Sequence, residues 1–436
     1  MRELRLVPAA VAAWLATLAV AFTLPWLVLV GAAAAAFLRP RGQAILCAAS
    51  ACLYGLLALV RTRRADAFAF GGEVTGRVLA APTEVPSGWL LKLTVPGYPA
   101  QLPVFVQEQP AAVSGSIVQV SGEASPSDRP GVAAVVFNGE VTASAPPQGW
   151  AGFAAEVAQN FREVCSDGLI PGMVLGDTSL QSPAERQLYV DTGLSHLSAV
   201  SGSNVAIVCS AAALLVVGPR ARVAASLCAL LLYVGLVGWE PSVQRATVAG
   251  LAGLAAVLGS ARMEPLHALS LGVLSLLAVD SDLAVSFGFA LSVAATAGIV
   301  VLSPRLVGVI AHTGWPHIVV RAVAVALAAD IVTMPLIALM AGQVSGVSVL
   351  ANVLAAPVVA PITVVGLVAA IAAQLGPLAV VARGLVALIE PLSGWIHLVA
   401  TGCSRLPHAS IATGPIPVLL LGCWVLAGVM YLRPLR

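Results

Sequence analysis

Long apolar blocks dominate this chain, and one extended polar stretch interrupts them. A helix needs about 20 apolar residues to cross a bilayer, fewer where flanking side chains snorkel. Runs near 7–23, 24–38 and 43–60 approach that length. The second is short and opens at Pro25, which predicts a tight hairpin with the first. Apolar runs resume near 194–218, 223–239, 242–260, 265–279, 284–303, 322–341, 346–374, 377–401 and 414–432. Pro357 and Pro361 fall inside 346–374 and predict a kink or break, because proline lacks the amide hydrogen and crowds the preceding turn. Arg2 and Arg5 before 7–23 resemble the start of a signal peptide, but a second apolar run follows at once with no cleavage site, so a retained helix is expected.

The polar stretch, 66–146, alternates with period two in bursts at 68–79, 89–95, 102–106, 116–122 and 133–141. Turn signals separate them: Pro86-Ser87-Gly88, Pro96-Gly97, Ser114-Gly115 and Pro130-Gly131. Five short strands predict a small OB-like barrel, whereas an immunoglobulin-like sandwich needs about seven. Phe68, Phe70, Trp89, Tyr98, Phe105 and Phe137 are its expected core. In 148–168, Trp150, Phe153, Val157 and Phe161 recur every three to four residues, predicting an amphipathic helix on the membrane–water interface or an entry gate. The expected fold is a polytopic α-helical membrane protein with an inserted small β-barrel (OB-like) extracellular domain. Its parts are 1–65 (transmembrane helices), 66–147 (β domain), 148–193 (amphipathic helix and outer loop) and 194–436 (main transmembrane domain).

Composition agrees with that pattern. The 436 residues are 59% hydrophobic and 10% charged, with mean hydropathy +0.96. A soluble protein carries roughly a quarter charged residues. Arginines in short loops orient the helices. With Arg2 and Arg5 inside, Arg39, Arg41, Arg220, Arg222, Arg262, Arg305, Arg321, Arg433 and Arg436 also fall inside, and 66–193 lies outside. Arg61, Arg63 and Arg64 break the rule. In the β segment, Arg77, Lys92 and Arg129 face six acids, Glu73, Glu84, Glu108, Glu123, Asp128 and Glu140. That balance argues against a strong nucleic-acid groove, which would be basic.

Seven scattered cysteines form no zinc pattern. Cys165 and Cys403 fall on the same outer side, and their spacing does not establish a bond. Asp177 and Asp191 border an outer loop but are too far apart in sequence to argue for a metal, so neither metal nor cofactor is expected. No P-loop occurs, so any driving force must come from elsewhere.

The densest polar signal inside an apolar region is Gly193-Leu194-Ser195-His196-Leu197-Ser198-Ala199-Val200-Ser201-Gly202-Ser203-Asn204. Lipid cannot hydrogen-bond these groups, so they must face protein or water. Ile170-Pro171-Gly172-Met173-Val174-Leu175-Gly176-Asp177 precedes it. Gly238-Trp239-Glu240-Pro241-Ser242-Val243-Gln244-Arg245-Ala246, Phe287 to Ala295, Met334-Pro335-Leu336 and Ala351-Asn352 to Pro357 follow in order. Over about 150–375 the set resembles the ComEC-type competence family, inner-membrane channels for DNA uptake in natural transformation. The resemblance implies a channel passing single-stranded DNA through a bacterial cytoplasmic membrane. It also implies an extracellular DNA receptor and a cytosolic helicase-like motor as partners, besides membrane lipid. Full-length members often add a metallo-β-lactamase-like domain. No His-x-His-x-Asp-His cluster occurs and the chain stops at Arg436, so a membrane-only form without nuclease activity is expected.

His196, Ser198, Ser201, Ser203, Asn204, Arg245 and Asn352 are the candidates to line the DNA path. His196 and Ser203 would share a face of a continuous helix unless Gly202 breaks it. The alternative for His196, Asn204 and Asn352 is hydrogen bonding between helices. Arg245 either meets phosphate or snorkels and pairs with Glu240, just before the helix-starting Pro241. Asp330 needs a partner such as Arg321 or Thr333, or carries a proton. Asp177, Asp191, Glu240, Pro241 and Asp330 are structural or gating candidates. Two further readings stay open. A small-solute transporter would use the proline-broken helix. An intramembrane serine hydrolase would need Ser201 beside His196, although on a continuous helix they face apart.

Overall fold

The computed structural model describes residues 6–35, 41–133, 135–238, 243–248, 250–251 and 264–431. Six helices among them are long and apolar enough to cross a membrane, as expected of a multi-pass membrane protein. The chain divides into two compact units.

The first unit opens with helices α1 (Leu6–Ala21), α2 (Trp26–Ala35) and α3 (Arg41–Asp66). Ala16 and Ala19 of α1 pack with Ala51 and Ala58 of α3, because small side chains let helix backbones approach closely where lipid offers no hydrophobic gain. The unit continues with strands β1 (Glu73–Val78), β2 (Thr83–Val85), β3 (Gly88–Thr94), β4 (Gln101–Val106), β5 (Ile117–Pro126) and β6 (Val135–Ala145). Five strands were expected. The sixth, β2, is a three-residue hairpin arm on β3, where Val85 pairs with Gly88 across Pro86-Ser87. The sheet order is β1-β5-β6-β4-β3-β2, and an additional β1–β3 pairing returns the order to its first strand. β4 and β6 run parallel, and the other pairs are antiparallel.

Period-two burial along β1 and β4 sends Val74, Val78, Leu102 and Val104 inward. Phe137 and Tyr98 join this core, with Phe68, Phe70 and Trp89 packed against it. Phe105 differs from expectation: it is half-buried and lines a shallow outer concavity with Gln107, Asn138 and Glu140. Its neighbours in β4, Val104 and Val106, take the inward positions, and strand alternation turns Phe105 outward.

Residues 280–285 follow helix Pro265–Val279 and hold the β strands to the helices of this unit. Asp282 accepts from the Val132 amide at 2.6 Å, and Gln101 donates to Asp280 at 3.3 Å. Arg61, one of the three arginines outside the expected charge pattern, finds its partners within this unit. It donates to the carbonyls of Leu277 (3.3 Å) and Ala278 (2.5 Å) and to Ser281, capping the C-terminus of Pro265–Val279 where carbonyls lack helical partners and the helix dipole is negative.

The second unit holds 157–233 and 287–436. Its helices include α5 (Leu169–Leu175), α6 (Pro183–Asp191), α7 (Gly202–Leu214) and α8 (Pro219–Val237, whose last residues belong to the first unit). Later come Phe287–Ile310, His317–Ala341, Ser348–Ala372, Ala379–Ser404 and Pro415–Tyr431. Two expectations are corrected. Ser348–Ala372 continues as one helix through Pro357 and Pro361. Conversely, the apolar run 194–218 is not one helix: a 3-10 turn at Ser195–Ser198 and an extended backbone at Ala199 and Ser201 precede α7. The amphipathic helix forms as α4 (Gly149–Val164), but its apolar face is divided. Trp150 and Phe153 are exposed in the first unit, while Val157 and Phe161 are buried in the second.

Candidate functional site

The site is built around the unwound stretch 192–201, and α5 supplies its floor. All seven α5 residues are buried, and Gly176 ends the helix in the left-handed region at φ 79°. The Gly176 amide returns to the Gly172 carbonyl, which leaves the last carbonyls of α5 to find other donors. Side chains provide them. Asn204 of α7 donates to the Met173 carbonyl at 2.8 Å, and Tyr233 of α8 donates to the Val174 carbonyl at 2.9 Å. Asn204 is 4% exposed, so its amide is spent joining α7 to α5 rather than facing a path. Of the two roles read from sequence, helix joining is the one the contacts support.

Gly193 follows α6 with φ 72°, and a side chain there would run into Ser348. The chain then turns through Leu194, which is fully buried, while Ser195 and His196 are exposed. Ser198 accepts from Gln181 at 3.1 Å. The Ser201 hydroxyl lies 2.5 Å from that of Ser203 and donates to Asn204 at 3.2 Å. His196 and Ser203 therefore do not share a helical face, because α7 starts only at Gly202. Ser201 is bonded to Ser203 and Asn204.

Helix Ser348–Ala372 meets this stretch at its first turn. Asn352 donates to the Ser348 carbonyl at 2.9 Å and to the Gly193 carbonyl at 3.3 Å. The buried Ser348 hydroxyl donates to Asp330 at 2.7 Å. Asp330 sits about 20 Å along His317–Ala341, near its middle. Its expected partners are corrected: Thr333 bonds the Ala329 carbonyl instead, and Arg321, more than two turns away, is exposed. Among the described residues no cation lies within ion-pair distance of Asp330.

The remaining candidates are dispersed. Asp177 pairs with Arg162 at 3.1 Å and caps the Ser179 amide. Asp191 accepts from Gln187 and Gln343. Arg245 is buried in the first unit. Glu240 and Pro241 lie outside the described residues. Cys165 and Cys403 are free thiols. Burial, with Asp167, Glu390 and Asp177 nearby, pushes the Cys165 thiol up to about 12. Among the described residues no group of three or more His, Cys, Asp or Glu has metal-site geometry.

Sequence reasoning missed Ser348, Gln181 and Tyr233. Each is a single polar group at a helix end or in an apolar run, with no motif around it. Their role follows from the backbone groups they reach.

A family model described as Competence protein matches residues 173–436. No curated protein matches the chain. No solved structure matches it.

Proposed function

The chain belongs to the competence protein family, whose role is DNA uptake, and from that premise we propose that it is a channel passing single-stranded DNA into the cytoplasm. The observation that carries this reading is the unwound, partly exposed polar stretch 192–201, set among apolar helices, bonded to the first turn of Ser348–Ala372 and through it to Asp330 in the middle of His317–Ala341. Irregular backbone at membrane depth is tolerated where it lies within protein or lines a water-filled cavity. A polyanion needs such a path, with hydrogen-bond donors and few fixed negative charges. His196, Ser195 and Ser203 offer donors on exposed positions.

The β strands form the outer domain in this reading, and the membrane is the bacterial cytoplasmic membrane. Their returning order, in which β1, β3, β4, β6 and β5 pair in turn and β5 pairs back with β1, supports an OB-like barrel. An external receptor delivers the strand and a cytosolic motor draws it inward. The small-solute alternative loses its main support, since Ser348–Ala372 is unbroken.

The test is entry of labelled DNA into the cytosol of cells lacking the chain, complemented by wild type, His196→Ala or Arg245→Ala. The channel reading expects deletion to stop entry while surface binding persists, and His196→Ala to restore entry poorly. Unchanged entry after deletion in a competent host refutes it.

A further inference from the structure

The polar groups that converge on 192–201 form a chain of hydrogen bonds. It runs from Asp330 to the Ser348 hydroxyl, then from the Ser348 carbonyl through the Asn352 amide to the Gly193 carbonyl. Three segments distant in sequence are thus bonded at one point: the turn after α6, the first turn of Ser348–Ala372 and the middle of His317–Ala341. The crossing they hold is bounded by Gly193, in a left-handed conformation, and by Gly202, where α7 begins.

Asp330 is the costly member. A carboxylate inside an apolar helix without a cation is expensive, and such groups mark function by default. An apolar residue at that position would pack at lower cost. Ser348 is nearly as constrained, since it is buried against Gly193 and serves both Asp330 and Asn352. Neither group is needed to complete a helix: Ala351 already reaches back to the Val347 carbonyl, and Asp330 is mid-helix. Their shared effect is to fix where 192–201 lies.

We propose that Ser348, with Asp330 behind it and Asn352 ahead of it, is a latch that holds the 192–201 crossing closed, and that the path opens when this latch releases. The inference rests on the channel reading for its purpose, not for its test. The latch acts through hydrogen bonds rather than through the charge of Asp330. Asp330→Asn keeps an oxygen that accepts from Ser348, whereas Asp330→Leu removes it. Asn352→Asp keeps the shape of the side chain and removes the donor to Gly193.

The measurement is peptide-resolved amide hydrogen exchange on the full chain in lipid nanodiscs, without DNA. The reporters are Gly193, Leu194 and Leu197, whose amides bond Val190, Tyr189 and Leu194 carbonyls in the closed crossing. Ser348→Ala, Asn352→Asp and Asp330→Leu should each speed exchange across 192–201 roughly 10-fold, the effect of losing one buried hydrogen bond. Peptides from Ala379–Ser404 should not change, which excludes general unfolding. Asp330→Asn should stay close to wild type. Unchanged exchange in Ser348→Ala and Asn352→Asp overturns the latch. So does an Asp330→Asn variant as fast as Asp330→Leu, since charge would then be the operative feature. Faster exchange together with normal DNA entry after deletion of the chain supports the latch while overturning the channel reading, so the two failures are distinguishable.

Discussion

Asp282 makes the joint of the first unit respond to pH in a direction that can be worked out. Its carboxylate accepts from the Val132 amide, and burial raises it from 3.8 to about 6. Asp280 nearby adds to the rise, while the Val132 bond and Arg61 oppose it. Tyr98, pushed up to about 12 by burial and by Asp282 and Asp66, reports the same desolvated surroundings. Between 3.8 and about 6 the closed joint binds more protons than an opened one, so its stability falls as pH rises through that window. The contribution is fully present below 3.8 and lost above about 6. Its size is about 3 kcal/mol, on the order of 100-fold in an opening equilibrium.

Amide exchange at Gly131 and Val132 reads this opening, and comparing wild type with Asp282→Asn at each pH cancels the chemical exchange rate. The amide variant keeps an acceptor for Val132 and does not titrate. Wild-type protection relative to the variant should rise by up to about 100-fold from pH 7 to pH 4. A flat ratio, or one that falls on acidification, would refute the reasoning.

Other expectations follow from single contacts. Gly193→Ala should cost at least about 1–2 kcal/mol of stability, since a left-handed φ strains any side chain and this one also meets Ser348. Denaturant titration in detergent checks it, and wild-type stability would contradict the contact. Tyr233→Phe should cost about 1–3 kcal/mol by leaving the buried Val174 carbonyl unpaired, measurable as a lowered unfolding midpoint. Cys165 should alkylate at pH 8 about three orders of magnitude more slowly than a small-molecule thiol, because its thiol stays protonated. Mass spectrometry over a time course would detect a faster reaction.

The sequence by itself determined the elements whose signal is local. The apolar run 265–279 is the helix Pro265–Val279, and four bursts in 89–141 became strands at nearly the expected places. Periodicity and the cost of burying polar backbone need no distant partner to act. The same logic drew attention to 193–204, because polar groups in an apolar run demand an explanation. It left the backbone there open between a continuous helix and a break at Gly202, since apolar residues on either side of Ser201-Gly202 look helical whether or not the helix is interrupted, and the structure shows the break. Of the kink or break expected from the two prolines of Ser348–Ala372, the break does not occur, since the helix continues through both.

Tertiary structure alone decided the partners. Asp330 bonds Ser348 rather than Arg321 or Thr333, and Asn352 bonds a carbonyl 159 positions away. Arg61 caps a helix more than 200 residues later. Such choices depend on which donors and acceptors packing leaves unsatisfied, and the order of residues along a chain does not encode that separately from the fold. Hydropathy says that a polar group in a membrane must find a partner; only the folded arrangement of helix ends and carbonyls says which.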